Sequence, residues 1–167
     1  MKLRPPVHLL TFCDTSYGNL PNGFSQGGYI IFLADERGNV SPLCWASRKL
    51  RRVCRSTVAA EIMAMLDGID ASVWLFHIIS EITDIKMDCI KVKTDNMSLC
   101  ESVHSTTANE EKRLRVEIAS IRESIRRKEI EVEWIENEKQ LADVLTKQGA
   151  DSTKLMRVLQ NGHLYVC

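Results

Sequence analysis

Hydrophobic residues between residues 56 and 80 recur at the spacing of one face of an α-helix. The recurring positions are Val58, Ile62, Met65, Leu66, Ile69, Val73 and Phe76. Ser56 or Thr57 can cap the start of this helix, because a side-chain hydroxyl accepts a hydrogen bond from a free amide of the first turn. The pattern therefore predicts one long helix near the middle of the chain.

Three apolar runs before this helix have the length and composition of β-strands, at residues 7–14, 28–34 and 40–48. Polar, glycine-rich sequence separates the first two, and residues 35–39 have the composition of a hairpin loop. Consecutive strands with short connections are typical of an antiparallel meander. A fourth run at residues 88–94 follows the helix, and this strand–helix–strand order predicts a crossover to a parallel neighbour.

The rest of the chain predicts further helices and a fifth strand. In order, these are a short helix at 96–103, a polar break at 104–109, a helix at 110–128 and a strand at 130–135. Asn137 and Gln140 have capping-box spacing and Gly149 fits the position past a helix end, so a last helix is predicted between them. One more helical stretch is predicted at residues 153–159.

Composition narrows the class of protein without indicating its activity. The 167 residues carry 22 Lys and Arg against 22 Asp and Glu, so global charge does not indicate a nucleic-acid partner. No apolar run is predicted to span a membrane and no signal peptide is recognised, so we expect a protein of the cytoplasm or the nucleus, neither secreted nor membrane-bound. The six cysteines include no CxxC pair, so no zinc site is expected.

We expect one α/β domain at residues 1–150, with residues 151–167 as its C-terminal helical tail.

Basic residues are concentrated immediately before the long helix. The run consists of Arg48, Lys49, Arg51, Arg52 and Arg55, and it lies in a stretch of sequence without an acid. Such a run forms either a solvated surface or a contact for a phosphate backbone. The absence of acids within the stretch favours the second interpretation.

Four carboxylates fall at positions that an α/β fold can bring together. Asp14 ends the first strand, Asp95 follows the fourth, Glu61 lies among apolar residues of the long helix, and Asp143 lies in the last predicted helix. Carboxyl ends of neighbouring strands meet at one edge of the sheet, and a helix packed over that edge can add Glu61. Clustered carboxylates repel unless divalent cations lie between them. The set predicts a site for two Mg²⁺ ions about 3.5–4 Å apart, as in two-metal nucleases.

Three of the four acids also have a simpler explanation. Asp95 could cap the helix that follows it, Asp14 could bind loop amides, and Asp143 could be a surface acid favoured by the helix dipole. Glu61 lacks such an explanation, since a charge among apolar neighbours is costly unless it is bound. As an ordered set, the four acids favour the metal interpretation.

Five segments resemble, in order, the ribonuclease H domains of reverse transcriptases, most closely the Ty1/copia-type retrotransposon branch. They are TFCDTSYGN, SQGGYIIFL, PLCWASRKLRRVCRSTVAAEIMAML, VKTDNMSLCES and ENEKQLADVLTK. The resemblance implies the ribonuclease H-like fold, a mixed five-stranded sheet flanked by helices. It also implies a metal-dependent endonuclease that hydrolyses the RNA strand of RNA·DNA hybrids, with Asp14, Glu61, Asp95 and Asp143 as catalytic metal ligands. Mn²⁺ is expected to substitute for Mg²⁺, and a reverse transcriptase polymerase domain of a parent polyprotein is the expected protein partner.

Substrate contact is assigned to polar and basic residues in or near these segments, namely Ser16, Gln26, Arg48, Lys49, Ser56 and Asn96. A hybrid duplex is contacted through phosphates and 2′-hydroxyls across a wide minor groove. An ordinary turn or cap role remains an alternative for the polar members. The three tryptophans, Trp45, Trp74 and Trp134, are predicted to pack in the core.

Two other functions stay open. A retroelement remnant could keep the fold and bind nucleic acid or protein without cleaving, although the four intact acids argue against it. An integrase-type strand transferase could share the fold. The position of Glu61 between two aspartates, and the Leu-Ala-Asp sequence at residues 141–143, favour ribonuclease H over the transferase.

Overall fold

The structure is a computed structural model that describes residues 3–105 and 114–164. Its five strands form one sheet in the order β3-β2-β1-β4-β5. They are β1 Val7–Ser16, β2 Gln26–Asp35, β3 Val40–Lys49, β4 Met87–Thr94 and β5 Ile130–Trp134. Strands β1, β2 and β3 pair antiparallel, whereas β4 pairs parallel to β1 and β5 parallel to β4. The predicted mixed sheet, a meander plus parallel strands, is confirmed.

Within the described residues, five α-helices flank this sheet: α1 Thr57–Ile82, α2 Met97–His104, α3 Arg115–Arg126, α4 Asp143–Thr146 and α5 Thr153–Asn161. Ser56 is the N-cap of α1, because its hydroxyl accepts a hydrogen bond from the Ala59 amide at 3.1 Å. The long helix is therefore confirmed, and of its two candidate caps the structure uses the serine.

Alternating residues of the central strand β1 pack into two hydrophobic cores, one on each face of the sheet. Leu9 and Cys13 face one core together with the buried side of α1, represented by Ile62 and Met65. Residues of the opposite face join the core under α4 and α5, which contains Leu10, Phe12, Phe32, Leu155 and Val158. Because β1 is covered on both faces, a side chain at its carboxyl end is shielded from water on both sides.

Helix α1 is, by length and composition alone, long and apolar enough to cross a membrane, contrary to the sequence-based expectation. A core helix satisfies the same criterion. Here Ala60, Ile62 and Met65 are fully buried within the domain. Packing on the sheet therefore accounts for the apolar character of the first part of α1, where all its buried residues lie, between Ala59 and Ser72.

The prediction of one last helix between Asn137 and Gly149 is wrong. Residues Asn137–Lys139 form a short 3₁₀ turn, Gln140 is extended at φ −74° and ψ 108°, and α4 begins only at Asp143. The Gln140 side chain does not complete a capping box. Instead it donates a hydrogen bond to the carbonyl oxygen of Cys13 on β1 at 2.9 Å. A tertiary contact therefore replaces the local capping that the spacing suggested.

The predictions for the helix at 110–128 and for the tryptophans have different outcomes. The helix predicted at 110–128 appears as α3, with Ile118 and Ile121 buried, while its first residues and most of the polar break lie outside the described residues. Core packing of the tryptophans is wrong, since Trp45 and Trp74 are each 64% exposed and Trp134 is 42% exposed. Trp45 lies on the edge strand β3, and Trp134 lies at the carboxyl end of β5.

Candidate metal centre

Three of the four predicted acids converge at the carboxyl ends of the adjacent parallel strands β1 and β4. One carboxylate oxygen from each of Asp14, Glu61 and Asp95 lies within 4.8 Å of the others. Asp14 belongs to β1, Asp95 directly follows β4, and Glu61 lies in the second turn of α1. The strand–helix–strand order predicted a parallel neighbour for β4. Because β1 and β4 are adjacent in the sheet, the three acids lie close together.

Asp14 is held where helix α4 packs closely against the sheet. It pairs across β1–β2 with Gly28, where an added Cβ would lie 2.9 Å from Leu145 and Thr146 side-chain atoms. The glycine therefore lets α4 come near enough for the Thr146 hydroxyl to donate a hydrogen bond to Asp14. Asp14 lies within a strand and binds this hydroxyl, so the alternative that it satisfies loop amides does not hold.

Glu61 is 6% exposed on the sheet-facing side of α1. Among the described residues, its carboxylate accepts one hydrogen bond, from the Thr15 hydroxyl at 2.8 Å, and forms no ion pair. Burial, reinforced by the charge of Asp14, raises the pKa of Glu61 to about 8. Burial also raises the pKa of Asp14 to about 6, although Thr146 and Lys147 oppose the shift. The negative charge of the centre is therefore only partly compensated, by Lys147.

Asp95 is positioned through its backbone and is not the cap of the following helix. The indole N–H of Trp134 donates to the Asp95 carbonyl oxygen at 3.0 Å. Asn96 caps α2 instead, since its side-chain oxygen accepts from the Leu99 amide at 2.9 Å. The Asp95 carboxylate is thus left for the site.

Asp143 stands beside the three acids without joining their closest cluster. As the first residue of α4 it forms an ion pair with Lys147, whose Nζ lies 2.6 Å from Asp143 Oδ1 and 3.7 Å from Asp14 Oδ1. Partial burial acts to lower the pKa of Lys147, but the hydrogen bond to Asp143 and the nearby carboxylates outweigh it and raise that pKa. Asp143 is therefore linked to Asp14 by Lys147. It also lies in the first turn of α4, where the helix dipole favours an acid.

Gln140 is the main contributor that sequence reasoning missed. It is 5% exposed, its amide nitrogen donates to the Cys13 carbonyl oxygen at 2.9 Å, and the same nitrogen lies 3.5 Å from Asp95 Oδ1. Its amide oxygen accepts from the Ala142 amide at 3.1 Å. One side chain thus connects the segments that carry Asp14, Asp95 and Asp143. Its place in the ENEKQLADVLTK segment is the only sequence signal that could have indicated it.

The donor set fits a hard divalent cation. Three carboxylates supply oxygen ligands, the preference of Mg²⁺, Mn²⁺ and Ca²⁺, and no thiolate or imidazole takes part in the group. Burial, reinforced by repulsion from neighbouring acids, raises the pKa of both Asp14 and Glu61, and their negative charge is only partly compensated. A bound cation would supply the missing charge.

The residues predicted to contact substrate lie at the same edge of the sheet as the acids. Strand register places Ser16 beside Gln26, and Gln26 beside Lys49, in one row across β1, β2 and β3. Arg48 donates to the Tyr29 hydroxyl at 3.1 Å, and Lys49 Nζ lies 3.9 Å from the centre of the Phe24 ring. Both basic residues are exposed.

The remaining members of that predicted set have local structural roles. Ser56 caps α1 and Asn96 caps α2, as the alternative interpretation allowed. Within the basic run, Arg52 pairs with Glu117 of α3. The run is therefore partly balanced by an acid from a distant segment, which the local sequence could not reveal.

Comparisons with known proteins agree with this geometry. No family model matches the chain. A segment of the Ty1-NL2 transposon Gag-Pol polyprotein of Saccharomyces cerevisiae is 34% identical over 149 residues, covering 86% of this chain and 8% of that polyprotein. The chain thus spans a small part of the curated relatives that it matches.

Solved structures resemble the fold at lower sequence identity. The LC11-RNase H1 structure in complex with an RNA/DNA hybrid has a TM-score of 0.59 at 19% identity, covering 82% of this chain and 92% of that one. The prototype foamy virus protease-reverse transcriptase has a TM-score of 0.53 at 18% identity, covering 92% of this chain and 22% of that one. The chain therefore has the ribonuclease H fold and is a relative of one segment of the Ty1 transposon Gag-Pol polyproteins.

Proposed function

We propose that the chain is a ribonuclease H that hydrolyses the RNA strand of RNA·DNA hybrids with the help of divalent cations. The observation that carries the proposal is the convergence of Asp14, Glu61 and Asp95 at the carboxyl edge of β1 and β4. The relatives add support, since one structural neighbour is an RNase H1 in complex with an RNA/DNA hybrid and the sequence relatives are retrotransposon polyproteins.

In this proposal Asp14, Glu61, Asp95 and Asp143 hold two Mg²⁺ ions, and Mn²⁺ can replace them. Such ions lower the pKa of bound water and stabilise charge that develops on a reacting phosphate. The protein's own contribution is orientation. Thr15 holds one Glu61 oxygen, Thr146 holds Asp14, and Gln140 fixes the spacing of the strand ends.

We assign substrate contact to the edge of the sheet beside the acids. Ser16, Gln26 and Asn96 offer hydroxyl and amide groups suited to 2′-hydroxyls and sugar edges, and Ser56 lies at the start of the helix that carries Glu61. Arg48 and Lys49 offer exposed positive charge to the phosphate backbone. A reverse transcriptase polymerase domain of the same polyprotein is the proposed protein partner.

The test is cleavage of a labelled RNA·DNA hybrid by the purified chain, in Mg²⁺ and separately in Mn²⁺, beside Asp95→Asn. Asp88→Asn is the matched control, because it makes the same substitution at the opposite, exposed end of the strand that Asp95 follows. We expect metal-dependent cutting of the RNA strand by the wild type and by the control, and none by Asp95→Asn.

Other outcomes identify the alternatives. Strand joining in place of RNA hydrolysis would indicate a transferase. A folded wild-type chain that binds the hybrid without cutting it in either metal, alone or fused to a polymerase domain, would contradict the proposal and indicate a binding module. Wild-type rates from Asp95→Asn would contradict the assigned site.

A further inference from the structure

The ammonium group of Lys147 occupies the side of the centre where Asp14 and Asp143 face each other. Its Nζ lies 2.6 Å from Asp143 Oδ1 and 3.7 Å from Asp14 Oδ1. In the described part of the chain, no other basic side chain pairs with any of the four acids. The lysine thus supplies the positive charge nearest to a buried carboxylate that would otherwise be poorly compensated.

We propose that Lys147 is a built-in counter-ion that holds Asp14 and Asp143 in the absence of a divalent cation and competes with that cation for them. The inference rests on the proposed metal-binding function and adds a residue that governs it. With the lysine in place, the acids are partly neutralised before any metal arrives. The metal concentration at which the site fills is then higher than the carboxylates alone would require.

The local structure suits a group that must move aside. Lys147 lies just after α4 with an extended backbone, at φ −107° and ψ 119°, and its backbone amide donates to the Asp143 carbonyl oxygen. Its side chain is 39% exposed, whereas that of Asp14 is 2% exposed. A lysine side chain is a flexible stem carrying a compact charge, so Nζ can swing into solvent while α4 and its acid stay in place.

The anchoring of Asp14 does not depend on the lysine alone. Thr146 donates to Asp14 Oδ2, whereas the Lys147 contact is to Oδ1. Departure of the ammonium group therefore releases one carboxylate oxygen without freeing the side chain. That oxygen is then open to a cation.

The experiment measures Mn²⁺ binding to the full chain by calorimetry, without nucleic acid, for wild type, Lys147→Met and Lys147→Arg. Lys86→Met is the control, because Lys86 is exposed and precedes β4 at the end of the strand remote from Asp95. We expect the apparent Kd of Lys147→Met to fall roughly fivefold, the ratio that about 1 kcal/mol of competing ion-pair energy produces. The arginine variant and the control should stay close to wild type.

An unchanged or higher Kd in folded Lys147→Met would overturn the inference. If that variant does not fold, the wild-type chain answers the same question through acetylation of its lysines, followed by mass spectrometry. Mn²⁺ should increase modification of Lys147 relative to Lys86, since displacement breaks the pair with Asp143. No increase would overturn the inference.

The two proposals fail in different ways. If the wild-type chain binds no Mn²⁺, the proposed metal site itself is wrong, and this inference with it. If Mn²⁺ binds and binding depends on Asp95 but not on Lys147, only the counter-ion role is wrong.

Discussion

Two buried aspartates at opposite ends of the β1–β2 pair have opposite environments. Strand register places Asp35 beside Val7 at one end and Asp14 beside Gly28 toward the other. Their exposed fractions are 3% and 1%, so burial does not distinguish them. Asp35 accepts hydrogen bonds from the Arg37 amide at 2.9 Å, the Asn39 amide at 3.0 Å, the Asn39 side chain at 2.8 Å and the Arg4 amide at 3.1 Å.

The hydrogen bonds explain why the two acids behave differently. Burial acts to raise the pKa of Asp35, but its four donors outweigh burial and lower that pKa. Asp14 has one hydroxyl donor and a more distant ammonium group, and burial raises its pKa. Asp35, whose carboxylate oxygens are all hydrogen-bonded, has a structural role in the hairpin between β2 and β3. Asp14 has too few hydrogen-bond donors and lies beside other acids, which indicates a ligand site.

Asp14→Asn should produce the largest effect on activity. We expect the rate of hybrid cleavage to fall at least about a thousandfold, as when a member of a catalytic unit is removed. The melting temperature measured in EDTA should stay the same or rise, because a neutral amide removes repulsion among the acids. If Asp14→Asn cleaves at the wild-type rate, or is less stable than the wild type without metal, the assignment of Asp14 to a ligand site and not to a structural role like that of Asp35 would be wrong.

Asp35→Ala should have the reverse profile. Removing the carboxylate leaves the amides of Arg37 and Asn39 without their acceptor, so we expect a loss of about 2–3 kcal/mol in the free energy of unfolding. Cleavage per folded molecule should be unchanged, because Asp35 ends β2 at the end of the β1–β2 pair opposite to the acids. Urea denaturation and the cleavage assay measure the two quantities. Loss of cleavage in folded Asp35→Ala would show that the ends of the strand are coupled.

The metal-free chain should become less stable as pH rises. Because the pKa values of Asp14 and Glu61 are raised in the folded state, both groups favour folding fully below the ordinary carboxyl pKa. That contribution is lost as pH rises through about 6 for Asp14 and then about 8 for Glu61. We expect the melting temperature in EDTA to fall by about 5 °C across this window.

Two variants isolate the group responsible for this pH dependence. Glu61→Gln should flatten the upper part of the curve, since glutamine does not titrate. Asp35→Asn should leave the slope in the same window unchanged, because the pKa of Asp35 is lowered and lies outside it. A slope that persists in Glu61→Gln would assign the effect to other groups.

Gln140→Leu should have the smallest of these effects. The change removes the hydrogen bond to the Cys13 carbonyl oxygen and the contact with Asp95 while keeping side-chain volume. We expect cleavage to slow about fivefold and the Mn²⁺ concentration for half-maximal rate to rise, because the acids are less well oriented. Gln148→Leu is the matched control, since Gln148 is exposed close to Lys147. Equal effects in both variants would remove the positioning role.

The elements that could be predicted from sequence were those with local signals. Strand periodicity and order gave the sheet, and three acids at strand ends or on the long helix came together as expected. What was missed depends on contacts between distant segments. Gln140 reaches Cys13 across 127 positions and Thr146 reaches Asp14 across 132, so no local pattern records either pair. The exposed tryptophans were mispredicted because side-chain type alone does not specify which face of an element is covered.

The most direct test of the proposed metal centre is to locate the cation. Crystals of the chain soaked in Mn²⁺ can be examined by anomalous scattering, beside crystals of Asp95→Asn. We expect an anomalous peak among the carboxylates of Asp14, Glu61 and Asp95 that is lost or strongly weakened in the variant. Absence of a peak there in the wild type, or an equal peak in Asp95→Asn, would contradict the assignment of this edge of the sheet as the metal centre.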